Sequence, residues 1–186
     1  MQVTATEFPG LLLLEPRVFQ DGRGFFMETW SRRTFEAAGL NLDFAQDNHA
    51  HSLPAGVLRG FHFQRPPQAQ AKLVWVTRGA VLDAALDLRR GSPTYGRVFA
   101  RELTAENRLR MLLPRGFAHA YQTLVPDTDF QYKVDAPYAP ELEGGILWSD
   151  PDLKFSWPVT APLLSDKDER LPRLRDFETP FVFEEK

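Results

Sequence analysis

Lys72-Leu73-Val74-Trp75-Val76-Thr77-Arg78-Gly79-Ala80-Val81-Leu82-Asp83-Ala84-Ala85-Leu86-Asp87-Leu88 is the stretch whose reading decides the fold class. Two apolar runs, residues 72–77 and 81–88, flank Arg78-Gly79, which predicts two strands joined by a hairpin turn. Within the second run Leu82, Ala84, Leu86 and Leu88 share one face by alternation, and Asp83 and Asp87 share the other. The same signature repeats outward in both directions. Residues 57–64 read as a strand that stops at Pro66-Pro67, and residues 98–103, 109–113, 118–124 and 130–135 follow with turn residues between them. Short strands spaced about ten residues apart predict a sandwich or barrel. With 15 Pro and 12 Gly spread along the chain, long helices have little room. Residues 31–40 are the best helix, with Ser31 as cap, Phe35 and Ala38 on one apolar face and Gly39 at the exit. Residues 104–108 predict one further helical turn capped by Thr104. From Asp150 onward, Pro and charge predict an irregular stretch packed over the barrel, with residues 176–186 adding a strand.

The chain of 186 residues is 43% hydrophobic and 25% charged, ordinary composition for a globular protein. No linker divides it, so residues 1–186 are expected to form a single domain. The net charge of −3 gives no general attraction for nucleic acid, although local basic clusters can hold phosphates. The absence of cysteine excludes disulfides, thiolate zinc sites and a cysteine nucleophile. The longest apolar run, residues 11–14, is far short of the ~20 residues of a membrane span, and the N-terminus lacks the pattern of a signal peptide. A cytoplasmic protein without a membrane partner is the expectation.

Chemistry concentrates around four histidines: His49, His51, His62 and His119. His49 and His51 form His-x-His, which puts both side chains on one strand face and could supply half a metal site. Residues 52–56 contain no glutamate, so the remaining ligands are not in view, and no metal is expected. Pro114-Arg115-Gly116-Phe117-Ala118-His119 carries Pro-x-Gly-x-x-His, which matches the second motif of the cupin jelly rolls. Between Gln46 and Lys72 the chain offers an imidazole, a guanidinium and an ammonium, one base with two cations suited to phosphate or to a developing oxyanion. In a regular strand Arg59 and His62 face opposite sides. A bulge at Gly60 would bring them together; otherwise Arg59 must reach round from the rim.

A series of motifs then carries a resemblance. Residues 19–28 (Phe-Gln-Asp-Gly-Arg-Gly-Phe-Phe-Met-Glu), Gln46-Asp47-Asn48-His49, Leu58-Arg59-Gly60-Phe61-His62-Phe63-Gln64, Lys72-Leu73-Val74, Asp87-Leu88-Arg89, Gly91-Ser92-Pro93-Thr94, Pro114 to His119 and Leu164-Ser165-Asp166-Lys167-Asp168 occur in order. Together, over roughly residues 1–170, they resemble the dTDP-4-dehydrorhamnose 3,5-epimerase family. The resemblance implies an all-β, cupin-type double-stranded β-helix, a jelly roll with a few short peripheral helices. It also implies a homodimer with no metal and no cofactor. The implied reaction inverts C3 and C5 of dTDP-4-dehydro-6-deoxy-D-glucose to give dTDP-4-dehydro-L-rhamnose. Both carbons adjoin the C4 ketone, so removing either proton leaves an enolate. A base on one face, an acid on the other and positive charge at the ketone oxygen are required.

By the same resemblance His62 is the base, a residue type whose ordinary pKa of ~6.5 suits proton abstraction near neutrality. Asp168 orients it, Tyr132 returns a proton from the opposite face, and Lys72 is the cation near the enolate oxygen. Arg59 and His119 match residues near the diphosphate and sugar. Arg23, Glu28, Gln46 and Asn48 match positions that hold the nucleotide, some of them reaching in from the partner subunit. Tyr138 resembles the aromatic that stacks on thymine, and Glu143 and Lys167 match substrate contacts. The chain departs from the usual pattern at Ala50 (usually Ser), at Phe61 and Phe63 (usually Leu and Tyr), and at Ala120 and Tyr121 (usually Gly and Phe). None of these removes a catalytic group, but they leave open which nucleotide sugar is used and whether both carbons are inverted. A single-carbon epimerase, a 3,4-ketoisomerase of a related nucleotide sugar, and a non-catalytic sugar-binding cupin are the competing readings.

Overall fold

The computed structural model describes residues 1–184. Among them the strands are β1 (Gln2–Ala5), β2 (Leu12–Glu15), β3 (Val18–Asp21), β4 (Gly24–Met27), β5 (Gln46–Ser52), β6 (Leu58–Gln64), β7 (Lys72–Arg78), β8 (Ala80–Asp87), β9 (Val98–Thr104), β10 (Arg110–Leu113), β11 (Phe117–Thr123), β12 (Thr128–Val134) and β13 (Glu143–Gly145). One α-helix, α1 (Arg32–Ala37), and a few 3-10 turns complete the chain. Two sheets face each other as a jelly roll, in the orders β1-β2-β10-β7-β12-β5 and β13-β6-β11-β8-β9. The hairpin of β3 and β4 stands apart from both. No helix among the described residues is long and apolar enough to cross a membrane.

The strands read from alternation are all present, but the hairpin at Arg78-Gly79 is not one. Strand β7 pairs with β10 and β12, whereas β8 pairs with β9 and β11. The turn therefore carries the chain from one sheet to the other. Gly79 sits there at φ +79°, and a Cβ on it would collide with Thr128. Alternation shows that a segment is a strand, but a tight turn looks the same whether its arms pair or part.

The faces of β8 also run against first intuition. Val81 and Ala85 belong to the interior core with Val74, Met111 and Phe130, and Asp83 and Asp87 are fully buried. The apolar face of Ala84, Leu86 and Leu88 points outward, where Leu153, Trp157 and Phe181 cover it. The irregular C-terminal stretch is thus a third layer, as expected, and each fully buried large apolar side chain in it contributes about 1.5–3 kcal/mol. It adds no strand. Val182 makes one isolated parallel bridge to Arg90, and residues 185 and 186 of the expected strand lie outside the described residues. The outer face of the other sheet, Leu14, Leu73, Trp75 and Leu112, is covered by Phe35 of α1. Ser31 caps α1 by accepting a hydrogen bond from the Thr34 amide at 3.4 Å. Ala38 is exposed rather than on the buried face, because the helix has ended and Leu40, Leu42 and Phe44 continue the packing. Thr104 holds a turn between β9 and β10, accepting from the amides of Glu106 and Asn107 at 3.2 and 2.9 Å, without making it a helix.

Candidate active site

The barrel opens into a cavity of about 640 Å³ between the sheets, and a smaller one of about 260 Å³ adjoins it. His62, Lys72 and Tyr132 line both, standing at their junction. They come from three strands. His62 lies on β6, Lys72 opens β7, and Tyr132 lies on β12, where it pairs with Val74 of β7 and Asn48 of β5.

The bulge that would let Arg59 and His62 share a side is present. Opposite β11, His119 pairs with His62 and Tyr121 pairs with Arg59, so two positions on β11 face three on β6. The additional residue falls at Gly60-Phe61, where Gly60 has φ +120° and a Cβ would strike the backbone of His119. Both Arg59 and His62 consequently line the larger cavity.

His62 Nε2 lies 2.5 Å from Asp168 Oδ1. The Asp168 carboxylate sits at the start of a 3-10 turn, Asp168–Arg170, and its other oxygen accepts from Ser165 Oγ at 2.8 Å. Burial pushes the Asp168 carboxyl up. The bonds from His62 and Ser165 outweigh that push and hold it below the usual carboxylate range. Asp168 is therefore an ionised group in this pair. Burial pulls the Lys72 ammonium down to about 8, against the opposing influence of Glu143 and Asp83. Its Nζ lies 5.8 Å from the centre of the Tyr132 ring. Burial raises the Tyr132 hydroxyl, with Arg59 drawing it back, so at neutral pH it keeps its proton and can donate it.

A second histidine–aspartate pair lines the same barrel. His119 Nε2 lies 2.9 Å from Asp83 Oδ2. Asp83 is fully enclosed, and burial raises its carboxyl beyond what His119 and Lys72 pull it down. At the smaller cavity Lys167 Nζ donates to Glu143 Oε1 at 2.7 Å, and Tyr138 OH donates to Glu143 Oε2 at 3.2 Å. Gln46 accepts from the Tyr138 amide at 3.0 Å and donates to Asn48 Oδ1 at 2.8 Å. Tyr138 is 54% exposed, an open aromatic face beside the cavity.

Eleven residues expected at the site thus meet around one opening: His62, Lys72, Tyr132, Asp168, Arg59, His119, Gln46, Asn48, Tyr138, Glu143 and Lys167. Two do not. Arg23 lies in the turn between β3 and β4, bound to Asp21 at 2.6 Å, and Glu28 accepts from Thr34 Oγ1 at 2.6 Å. Neither lines the cavity of its own chain. The hairpin carrying Arg23 exposes Phe19, Phe25 and Phe26, the last at 70%. His49 and His51 share Asp129 Oδ1, at 3.0 and 2.9 Å; His51 lies at the edge of the larger cavity and His49 lines neither cavity. Sequence reasoning missed Asp83 and Ser165, the partners of His119 and Asp168. For Asp83 a signal existed, since a carboxylate in the middle of an apolar strand requires a partner.

Comparison with known proteins identifies the family and the fold. A family model described as dTDP-4-dehydrorhamnose 3,5-epimerase matches residues 5–176. The dTDP-4-dehydrorhamnose 3,5-epimerase of Pseudomonas aeruginosa is 50% identical over 172 residues, covering 91% of this chain and 94% of that one. A crystal structure of the Bacillus anthracis enzyme of that name, with TDP and PPi bound, superposes with TM-score 0.90 at 46% identity, covering 92% of this chain and 98% of that one. A Legionella pneumophila dTDP-6-deoxy-D-glucose-3,5-epimerase, in complex with dTDP-4-keto-L-rhamnose, superposes with TM-score 0.93 at 37% identity, covering 99% of each chain.

Proposed function

The chain belongs to the dTDP-4-dehydrorhamnose 3,5-epimerase family, and from that premise we propose that it inverts C3 and C5 of dTDP-4-dehydro-6-deoxy-D-glucose to give dTDP-4-dehydro-L-rhamnose. The observation that carries this reading is the His62–Asp168 pair at 2.5 Å, opening on the cavity that Lys72 and Tyr132 also line.

The Asp168 carboxylate holds the proton of His62 on Nε2, which leaves Nδ1 with the lone pair that takes the proton from C3 or C5. As the C–H bond breaks, its electron pair moves into the ring and negative charge grows on the C4 oxygen. The Lys72 ammonium, drawn out of bulk water by burial, meets that charge and acts on it more strongly than it would in water. Tyr132 then gives its phenolic proton to the carbon from the other face, and inversion follows. The imidazolium left on His62 is stabilised by Asp168; before the second carbon is treated it gives its proton to solvent, and the Tyr132 phenolate takes one back from solvent. Arg59 holds the diphosphate, with His119 at the sugar. Tyr138 stacks on the thymine, Gln46 and Asn48 hold the nucleotide, and Glu143 and Lys167 contact the substrate.

The remaining residues belong to a dimeric arrangement. The β3–β4 hairpin places Arg23 at an exposed apolar tip, and Glu28 follows it at the other side of the same arm. Both act on the nucleotide of a partner subunit, with each chain working as a single domain. Exposed Phe19, Phe25 and Phe26 support this reading, since such a cluster is costly unless it is covered.

Proton NMR in deuterium oxide with dTDP-4-dehydro-6-deoxy-D-glucose tests the assignment. Deuterium at both C3 and C5, trapped as a rhamnose product by a downstream reductase, is the expected outcome. Deuterium at one carbon alone would keep the mechanism and move the protein to single-carbon epimerisation. No exchange, with binding intact, would overturn it.

A further inference from the structure

Residues 135–139 carry Tyr138 between β12 and the 3-10 turn Pro140–Leu142, and they belong to neither sheet. In Ala136-Pro137-Tyr138-Ala139-Pro140 the two prolines have no N–H to give to a ladder. Glutamine side chains anchor the segment instead. Gln64, the last residue of β6, is 3% exposed and grips the chain on both sides of Tyr138. Its Nε2 donates to the Pro137 carbonyl at 3.0 Å, and its Oε1 accepts from the Ala139 amide at 2.9 Å. Nε2 also donates to the Gln68 carbonyl at 2.6 Å, which fixes the side-chain amide in place. Gln70 Nε2 donates to the Ala136 carbonyl at 2.9 Å, and Gln46 takes the Tyr138 amide.

These bonds fix the backbone of Tyr138 while its ring stays open beside the smaller cavity, which Gln64 and Gln70 also line. Both N–H donors of Gln64 are spent on carbonyls of the chain, so its amide has no donor to offer a ligand. The pattern also selects the residue type. One side chain must donate to residue 137 and accept from residue 139. A carboxylate there would set its charge against two carbonyl oxygens, and an apolar side chain would release the Ala139 amide.

We infer that Gln64 and Gln70 are positioning residues for nucleotide binding: they hold the chain around Tyr138 so that its ring is preorganised as a platform for a flat pyrimidine base. This rests on the reading of Tyr138 as the aromatic that stacks on thymine. A ring already held in place loses little freedom when the base arrives. The glutamines therefore act on affinity through the base, and the proton steps at His62 proceed as before.

Isothermal titration of dTDP and of inorganic pyrophosphate, which lacks the base, tests it in a double-mutant cycle of the parent, Gln64→Met, Tyr138→Ala and the two combined. Methionine keeps the length of glutamine and removes its donors and acceptor. Tyr138→Ala should weaken dTDP about 10-fold, the scale of a lost aromatic–base stack. Gln64→Met should weaken it about 5-fold with Tyr138 present and by less than about 2-fold without it, with pyrophosphate affinity unchanged throughout. With substrate, KM should rise in Gln64→Met while kcat stays within about 2-fold of the parent. Gln70→Ala, at a half-buried position, should behave in the same way more weakly, and it keeps the test open if Gln64→Met folds poorly. Equal losses with and without Tyr138, or a matching loss of pyrophosphate, would mean that the glutamines shape the whole cavity, and would overturn the inference. So would a dTDP affinity unchanged by both glutamine variants while Tyr138→Ala weakens it. Unchanged dTDP binding in Tyr138→Ala would remove the stacking role beneath the inference, and that result appears before any glutamine variant is compared.

Discussion

The two histidine–aspartate pairs in the barrel use the same residue types and differ in what surrounds the carboxylate. Asp168 arrives from the C-terminal layer, takes a second hydrogen bond from Ser165, and is held below the usual carboxylate range. Its histidine keeps 24% of its side-chain surface open. Asp83 sits fully buried inside the barrel wall, and burial pushes its carboxyl up. Its histidine is open by 8%. A carboxylate with several donors stabilises an imidazolium that forms in front of it. A carboxylate enclosed by apolar strands mainly fixes a side chain and adds to the local field. The comparison separates a pair suited to moving a proton from a pair suited to holding a wall in place.

The most direct way to break this division is His62→Ala. Exchange at both carbons should fall by at least ~10⁴-fold, with dTDP binding retained by calorimetry. Turnover at the parental rate would transfer the base to the other pair. Asp168→Asn should cost roughly 10³-fold in kcat with a smaller change in KM, because the amide keeps the shape but no longer fixes the tautomer. The same variant has a pH signature. The folded carboxyl of Asp168 titrates below its unfolded value, so its contribution to stability is present at neutral pH and fades as pH falls through the folded value. Denaturation of parent and Asp168→Asn should therefore differ more at pH 7 than at pH 3.

Asp83 should show the opposite sign. Its folded carboxyl titrates above the unfolded value, so its contribution is complete only below the ordinary carboxylate range and is lost as pH rises through the folded value. Asp83→Asn is expected to gain stability relative to the parent as pH rises towards neutrality, because the amide cannot ionise. A large destabilisation would mean that the buried pair is a major support of the barrel. The finest test links both pairs through Lys72. With its ammonium drawn down to about 8, kcat should decline as pH rises through that value. Asp83 is one of two carboxylates holding this ammonium up, so Asp83→Asn should move the alkaline limb to lower pH. An unmoved limb would separate Lys72 from the second pair.

Much of this is legible in the residues alone. Alternation located β6 to β12 within a residue or two, and the conflict between Arg59 and His62 pointed to the bulge at Gly60 that the structure contains. Alternation could not say which sheet a strand joins, so β7 and β8 looked like a hairpin. Nor does it distinguish an inward face from an outward one when a third layer covers the outside, as with the leucines of β8. Strands β1 to β4 are four residues each, too short for a period-2 pattern to stand out. The cavity residues supplied by resemblance were those that touch substrate in the implied reaction. Ser165 and Asp83 act through a neighbouring group of the site, and only Asp83 leaves a local sign, a carboxylate within an apolar strand.

The C-terminal layer has a consequence in time. A ribosome completes every barrel strand, β13 included, before it adds Asp168. Until residues 146–181 emerge, the sheet of β6, β8 and β11 shows an uncovered apolar face, and His62 has no carboxylate behind it. The segment that shields the nascent protein from aggregation is the one that delivers the orienting aspartate. An incomplete chain is therefore both sticky and inert, and solubility and activity are acquired in the same stretch of synthesis.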